Sequence, residues 1–184
     1  MSSASVREKN PFYIIFGAIA FFVGICLVFR PAMRCFYPVK YSDEIKKYSK
    51  EYKLDEHLVM AIISAESKFD KDALSRKNAK GLMQLKEETA LWCMEQFGIE
   101  SKTKNIYEPE LNIRVGCAYL RYLIDKFGIN SSAFIAAYNA GEGNVTKWLS
   151  SQTDKSTLTK LPFKETEKYV KTVVNRTKIY KFLY

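Results

Sequence analysis

Apolar residues recur every three or four positions along much of the chain, which is the spacing of one helix face. Between Leu54 and Glu66 they follow Asp55, a residue type that commonly caps the first turn of a helix. The pattern therefore predicts an amphipathic helix that ends at Glu66. Its apolar stripe consists of Leu58, Ala61, Ile62 and Ala65.

The same spacing predicts four further helices. They cover the stretch from Lys86 to Gly98, the stretch from Pro109 to Gly128, and residues 132–139 and 165–182. Glycine after an apolar stripe is typical of a helix C-terminus, and proline is favoured at a helix N-terminus. No segment alternates in the manner of a strand. We therefore predict an all-α domain, with a polar surface loop at residues 150–160.

Residues 12–29 form an uncharged apolar run whose helical length approaches the roughly 30 Å hydrocarbon thickness of a bilayer. A cleaved signal peptide and a lipid-modified Cys35 are the alternatives, but Arg30 and Arg34 fit neither processing site well. Basic residues flank the run on both sides, so they do not fix its orientation. We predict an N-terminal tail at residues 1–11, a transmembrane anchor at 12–29, a proline-containing linker at 30–41 and one domain at 42–184.

The composition is that of a folded protein, with 47% hydrophobic and 27% charged residues. A formal net charge of +9 favours an anionic partner, which includes nucleic acid, acidic lipid and cell-wall polymers. The basic residues are scattered, and no arginine-rich run or nucleic-acid-binding module is present. We therefore rank a cell-wall polymer above nucleic acid.

Metal ligands are scarce in the sequence of the predicted domain. Cys93 and Cys117 have no CxxC spacing, and His57 is the only histidine in the chain. We expect no metal site. The two cysteines are expected to be buried free thiols, with a disulfide as the alternative in an exported domain.

Glu66 lies on the apolar stripe of its predicted helix, four residues after Ile62 and eight after Leu58. Burial disfavours the charged form of a carboxyl group and raises its pKa, and a carboxyl protonated near neutral pH can act as a general acid. A glutamate at a helix end can also turn towards solvent. Periodicity alone leaves both interpretations open.

Two further segments combine glycine with isolated polar side chains. In GLMQLKEETA, residues 81–90, Gln84 stands among apolar residues and provides an amide for a sugar ligand. In AYNAGEGNV, residues 137–145, Tyr138 provides an aromatic face. The ordinary alternatives are a surface or capping role for Gln84 and core packing for Tyr138 and Met83.

Taken in order, five segments resemble the catalytic domain of soluble lytic transglycosylases, in the superfamily that includes goose-type lysozyme. The resemblance covers residues from about 48 to 180 and is specific as an ordered set. It implies a lysozyme-like helical fold. The segments are AIISAESKFD, GLMQLKEETA, EPELNIRVGCAYLRYL, AYNAGEGNV and ETEKYV.

The resemblance also implies roles for individual residues. Glu66 matches the family's single catalytic acid and base, while Lys86 departs from an apolar residue found in many members. The positions that the resemblance assigns to substrate binding are Ser67, Ser75, Met83, Gln84, Tyr138, Asn139, Glu165 and Tyr169.

The implied reaction cleaves peptidoglycan between N-acetylmuramic acid and N-acetylglucosamine and leaves 1,6-anhydromuramyl ends, without a metal or organic cofactor. The first alternative is a lysozyme-type hydrolase, which needs a second carboxylate from among Asp70, Asp125 and Glu142. The second is a non-catalytic wall-binding scaffold. The expected substrate implies a single-pass protein of the cell membrane with its domain on the extracytoplasmic side. Partner proteins of a cell-wall machinery fit such an enzyme, but no motif identifies them.

Overall fold

A computed structural model describes residues 11–129, 132–152 and 161–184, except for some side chains inside the first helix. The described part contains eight α-helices, and its only extended pairings are two isolated bridges that join Lys80 to Leu74 and to Leu85. This confirms the all-α prediction for these residues. The helices are α1 Pro11–Phe36, α2 Ser42–Glu51, α3 Glu56–Glu66, α4 Glu87–Gln96, α5 Pro109–Phe127, α6 Ala133–Ala140, α7 Glu142–Ser150 and α8 Lys164–Leu183.

The five helices predicted inside the domain are present as α3, α4, α5, α6 and α8. Their ends follow the local chemistry. The carboxylate of Asp55 accepts a hydrogen bond of 3.0 Å from the backbone N–H of His57 at the start of α3. Pro109 opens α5, and Gly128 follows its last residue with a φ of 83°.

Two helices were not predicted. In α2 only Ile45, Tyr48 and Ser49 are buried, and the other residues are mainly charged. Helix α7 begins directly after Gly141, which has a positive φ, and Gly143 lies inside the helix. Of the predicted polar loop, residues 153–160 lie outside the described residues.

The predicted anchor falls within α1, which belongs to the first of two compact units, and the second unit begins at Val39. The helix continues through Pro31 to Phe36, so residues 30–36 of the predicted linker are helical. A single proline removes one N–H donor, which does not end a helix whose flanking residues remain helical. Residues 1–10 of the predicted tail are not described. Among the described residues, no helix is both long enough and apolar enough to cross a membrane.

The core of the second unit surrounds α3, whose residues from Leu58 to Ser64 are all buried. The long helix α5 packs against α2, α4 and α6. Cys93 and Cys117 are buried free thiols, as expected for small apolar side chains in a core. Glu66, the last residue of α3, is therefore held at the end of a helix whose preceding turns are buried.

Candidate active site

Glu66 lines a cavity of about 620 Å³ in the second unit. The cavity receives side chains from the loop after α3, from α4 and α5, and from the α6–α7 corner and the start of α8. Of the residues predicted to form the site, six line this cavity. They are Glu66, Ser75, Gln84, Tyr138, Asn139 and, in the first turn of α8, Glu165.

Oε1 of Glu66 accepts a hydrogen bond of 2.6 Å from the hydroxyl of Tyr169. Burial raises the pKa of Glu66 from 4.5 to about 7, and the hydrogen bond from Tyr169 offsets part of that increase. Among the described residues, Tyr169 is the only hydrogen-bond partner of this carboxyl group. When Glu66 is protonated, its proton is therefore carried by Oε2.

A second contact fixes α8 against the end of α3. Arg176 lies seven residues after Tyr169, on the same face of α8, and its Nη1 donates to Oγ of Ser64 at 3.1 Å. The two contacts meet α3 at positions two residues apart. The orientation of the Glu66 carboxyl group thus depends on how α8 packs on α3.

The chain turns sharply after the catalytic candidate. Lys68 and Phe69 both have positive φ, at 54° and 64°, a conformation that costs non-glycine residues roughly 1 kcal/mol each. Phe69 is 2% exposed and packs edge-on against the ring of Tyr180 at 6.4 Å. Ser67 closes the turn, because its hydroxyl donates to the backbone oxygen of Leu82 at 2.8 Å. The expected substrate contact of Ser67 is thus occupied by a main-chain bond in this structure.

Gln84 also adopts a left-handed conformation, with a φ of 50°. Its Nε2 donates to the backbone oxygens of Ala73 and Gly81, both at 3.0 Å. These bonds hold the Gln84 side chain along the cavity wall. The amide nitrogen therefore supports the loop, which leaves the carbonyl oxygen as the polar atom for a ligand.

Met83 differs from its expected role. Its side chain is 0% exposed and packs against Gly116, where an added Cβ would lie 2.3 Å from the Met83 sulfur. It does not line the cavity. Met83 is therefore a core residue that anchors its loop, as its apolar side chain also allows, and it is not placed to touch a substrate.

The loop around Met83 is held at both of its main-chain atoms. The backbone N–H of Met83 donates to Oδ1 of the buried Asn112 at 2.8 Å, and its oxygen accepts from the Tyr138 hydroxyl at 2.9 Å. Asn112 also donates to the backbone oxygens of Lys80 and Ile106. Asn112 was missed in the sequence, although a polar residue beside the buried stripe of a helix is the available signal.

Tyr138 and Asn139 lie side by side at the C-terminal end of α6. The Tyr138 ring lines the cavity, and its centroid is 5.6 Å from that of the Tyr119 ring. Its hydroxyl donates to the backbone oxygen of Met83. The side-chain amide of Asn139 has no hydrogen-bond partner among the described residues. Asn139 therefore offers the cavity both a donor and an acceptor.

Ser75 lines the cavity, but its hydroxyl accepts from the backbone N–H groups of Lys77 and Ala79. Glu165 is exposed at the cavity rim. Beside these expected residues the cavity is lined by the basic side chains Arg76, Lys77 and Lys86. The first two were not singled out in the sequence, because isolated basic residues in a loop carry no periodic signal.

The three carboxylates considered for a hydrolase do not line the cavity. Asp70 accepts from the backbone of Asp72, Asp125 pairs with Arg121, and Glu142 accepts from Tyr122 and Lys126. These three carboxylates therefore bind other residues of the domain outside the cavity lining. The other carboxylates at the cavity are Glu88 and Glu165.

Comparison with known proteins gave concordant matches. A family model described as "Transglycosylase SLT domain" matches residues 43–160. The chain is 34% identical over 152 residues to the soluble lytic murein transglycosylase of Escherichia coli, covering 79% of this chain and 24% of that protein. It is 37% identical over 123 residues to the membrane-bound lytic murein transglycosylase C of Edwardsiella ictaluri, covering 61% and 34% of the two chains.

The structural comparison agrees with the sequence matches. The lytic transglycosylase Slt of Pseudomonas aeruginosa, solved as an inactive Glu-to-Gln mutant, superposes with a TM-score of 0.74 and 32% identity. The match covers 82% of this chain and 25% of that one. The chain thus spans only about a quarter to a third of the length of the relatives that it matches.

Proposed function

Because the chain belongs to the transglycosylase SLT domain family, we propose that it cleaves the glycan strands of bacterial peptidoglycan with Glu66 as its catalytic acid. One observation carries the proposal. Glu66 lines the cavity with a pKa raised to about 7 by burial, and its Oε1 is fixed by Tyr169. A carboxyl group that is half protonated near neutral pH suits proton donation to a glycosidic oxygen.

The reaction begins when Oε2 of Glu66 donates its proton to the oxygen that links N-acetylmuramic acid to N-acetylglucosamine. The bond from the anomeric carbon to that oxygen breaks, and the substrate's own N-acetyl group stabilises the positive charge that develops. The Glu66 carboxylate then removes the proton of the muramyl C6 hydroxyl. That oxygen bonds to the anomeric carbon, which gives a 1,6-anhydromuramyl end and restores the protonated acid.

The cavity lining supports the proposed substrate-binding residues. Asn139 offers an unpartnered amide, Gln84 its carbonyl oxygen and Tyr138 its ring face, and these groups suit the hydroxyl and N-acetyl groups of a sugar. Glu165 lies at the rim. Ser67 and Tyr169 act on the site through Leu82 and Glu66.

Product analysis separates this reaction from hydrolysis. The full chain, incubated with purified peptidoglycan, is expected to release fragments with anhydromuramyl ends, which mass spectrometry distinguishes from reducing ends by the mass of one water. Products with reducing ends alone would assign the chain to the hydrolases. In that case Glu88 or Glu165 becomes the candidate for the carboxylate that positions water.

The role of Glu66 is tested by the substitution Glu66→Gln, which keeps the size of the side chain and removes its proton transfer. We expect turnover to fall by about 1000-fold, while the fold and binding to insoluble cell wall are retained. Glu95→Gln is the matched control, because Glu95 is exposed on α4 and does not line the cavity. Turnover that survives Glu66→Gln would refute the assignment.

We also propose that residues 12–29 anchor the chain in the cell membrane with a single span and hold the catalytic domain on the extracytoplasmic side. The uncharged apolar sequence of this run and its place within α1 support the anchor. The location of peptidoglycan outside the cytoplasmic membrane supports the orientation. Proteins of a cell-wall machinery are the expected partners.

A further inference from the structure

A second cavity, of about 590 Å³, adjoins the cavity that contains Glu66. The two cavities share Lys77, Lys86 and Glu88 in their linings, so these side chains stand at the junction. A ligand that fills both cavities has to be branched, or has to bend at this junction. The remaining lining of the second cavity consists of Leu74, Asn78, Lys80, Glu87 and Tyr107.

A tight turn fixes the backbone that carries Lys77. The backbone N–H of Asn78 donates to the oxygen of Ser75 at 3.0 Å, and that of Ser75 donates to the oxygen of Ala79 at 2.9 Å. The Ser75 hydroxyl also accepts from the N–H of Lys77 at 3.2 Å. Lys77 is thus presented from a rigid base, and ordering it costs little backbone entropy on binding.

Helix stability does not explain the position of Lys86. It is the N-cap residue of α4, a position that favours Ser, Thr, Asp or Asn, and its side chain makes no cap bond. A positive charge there also opposes the helix dipole. We therefore explain Lys86 by its place in the lining of both cavities and not by a contribution to the stability of α4.

Positive charge is in excess at the junction. Lys80 pairs with Glu87 at 2.7 Å, but Lys86 and Glu88 are 3.6 Å apart with side chains that are 53% and 79% exposed. Arg76 and Lys77 form no ion pair with the described residues. An anionic group between Lys77 and Lys86 would therefore meet Lys77, which has no ion pair among the described residues, and Lys86, whose ion pair with Glu88 is long and exposed.

We propose that Lys77 and Lys86 bind the carboxylates of a peptide branch, which lies in the second cavity while the glycan strand that bears it occupies the first. This assignment rests on the proposed function, since it names the form of peptidoglycan that the site selects. The second cavity is larger than a single carboxylate requires. Its exposed Leu74 and the ring of Tyr107 provide apolar surface for small aliphatic side chains of a peptide.

The test compares native strands with strands whose peptide carboxylates have been converted to primary amides, using the full chain in detergent. We expect kcat/KM to be about fivefold higher on the native strands, which is the size of two exposed ion pairs. Lys77→Ala with Lys86→Ala should cleave both substrates equally, at the rate of the wild type on amidated strands. The double substitution Lys77→Arg and Lys86→Arg should restore the preference.

The matched control is Lys46→Ala with Lys50→Ala, which removes the same charge from exposed positions of α2 outside both cavities. It should retain the wild-type preference. Equal cleavage of the two substrates by the wild type, or an unchanged preference in the Lys77→Ala, Lys86→Ala variant, would overturn the proposal.

Binding separates failure of this proposal from failure of the proposed function. The Glu66→Gln chain should sediment with native insoluble cell wall about fivefold more strongly than with amidated wall, whether or not the wild type is active. Absence of anhydro products from every substrate would refute the proposed function alone. Equal sedimentation with both walls would refute the peptide site.

Discussion

The Glu66 carboxyl group has two oxygens in different environments. Oε1 accepts from Tyr169 at 2.6 Å, and the described residues provide no partner for Oε2. This asymmetry favours protonation of Oε2, the oxygen that Tyr169 does not contact. In the proposed reaction, the ionised carboxylate keeps the Tyr169 bond as it accepts the next proton.

The pKa of Glu66 predicts a pH profile for cleavage. The acid must be protonated in the free enzyme, so kcat/KM should fall as the pH rises through about 7, with a tenfold loss for each further unit. Because burial is the main cause of the raised pKa, the pH at which kcat/KM falls on this alkaline limb of the profile should be largely insensitive to salt. Steady-state rates on soluble strands between pH 5 and pH 9 measure it. A rate that stays level to pH 9 would contradict the assignment.

Tyr169→Phe should shift that limb. The hydroxyl of Tyr169 favours the charged form of Glu66, so its removal should raise the Glu66 pKa and move the alkaline limb to higher pH. We also expect kcat to fall by about tenfold, because the carboxylate loses a charge-assisted hydrogen bond in the second step. Tyr41→Phe is the control, since Tyr41 does not line the cavity. A fall in kcat without a shift of the limb would indicate a purely structural role.

At the scale of single residues, the sequence predicts Glu66 as the candidate acid but does not predict the side chains that surround it. The three-and-four spacing puts Glu66 on a buried stripe, and the ordered motifs choose between a buried and an exposed carboxyl group. The bond from Tyr169 joins residues 103 positions apart, which no local pattern reports. Met83 is 0% exposed and packs against Gly116 on another helix, a contact that the sequence motif around Met83 does not report.

At the scale of elements, α5 supports the loop that carries Gln84. Asn112 and Gly116 lie four residues apart on one face of α5, where the amide binds the Met83 backbone and the glycine makes room for its side chain. Through these two contacts, α5 fixes both the backbone and the side chain of Met83 in this loop. The loop in turn places Gln84 on the cavity wall.

Gly116→Ala tests this support. An added Cβ would lie 2.3 Å from the Met83 sulfur and 2.8 Å from its terminal carbon, so Met83 must move. We expect the free energy of unfolding to fall by about 1–3 kcal/mol and kcat/KM to fall with it, as urea unfolding and rate assays can measure.

Gly143→Ala provides the matched control. Nothing lies within 4 Å of an added Cβ at this position inside α7. Alanine is the better helix former, so the free energy of unfolding should rise by up to about 1 kcal/mol. If both substitutions changed the free energy of unfolding equally, the contact between Gly116 and Met83 would not contribute to stability.

Helices with an apolar stripe could be predicted from the sequence, and helices without one could not. The charged helix α2 buries only Ile45, Tyr48 and Ser49, so its pattern is too sparse to separate it from a loop. The start of α7 was hidden by glycines whose conformation depends on context. The two prolines of residues 30–41 favoured a linker, whereas α1 continues through Pro31 to Phe36.

At the scale of the whole molecule, we expect the proposed anchor and the proposed catalytic domain to act independently of each other. The chain from residue 42 should cleave soluble strands with the kcat/KM of the full chain but stay in solution when membranes are sedimented. The full chain should sediment with the membranes and resist extraction at high pH, as expected for an apolar helix within a bilayer. A full chain that remains in solution would refute the anchor.

The fold class and the family followed from the order of the motifs, since five short segments in the right sequence are far more specific than any one of them. The sequence did not reveal the second cavity. Its lining comes from the turn at Ser75, the start of α4 and Tyr107, which are close in space through backbone bonds such as that from Leu85 to Lys80. A cavity lined by segments that are distant in sequence forms only when those segments pack together, so no local sequence pattern predicts it.

The bond between Glu66 and Tyr169 also sets an order in time. A ribosome makes the acid long before it makes its partner, because α3 precedes α8 by most of the domain. A nascent chain, or one clipped by a protease ahead of α8, carries Glu66 without the tyrosine and arginine that orient the end of α3. If the chain has the proposed function, we expect such unfinished or truncated copies to cleave glycan strands more slowly than the complete chain.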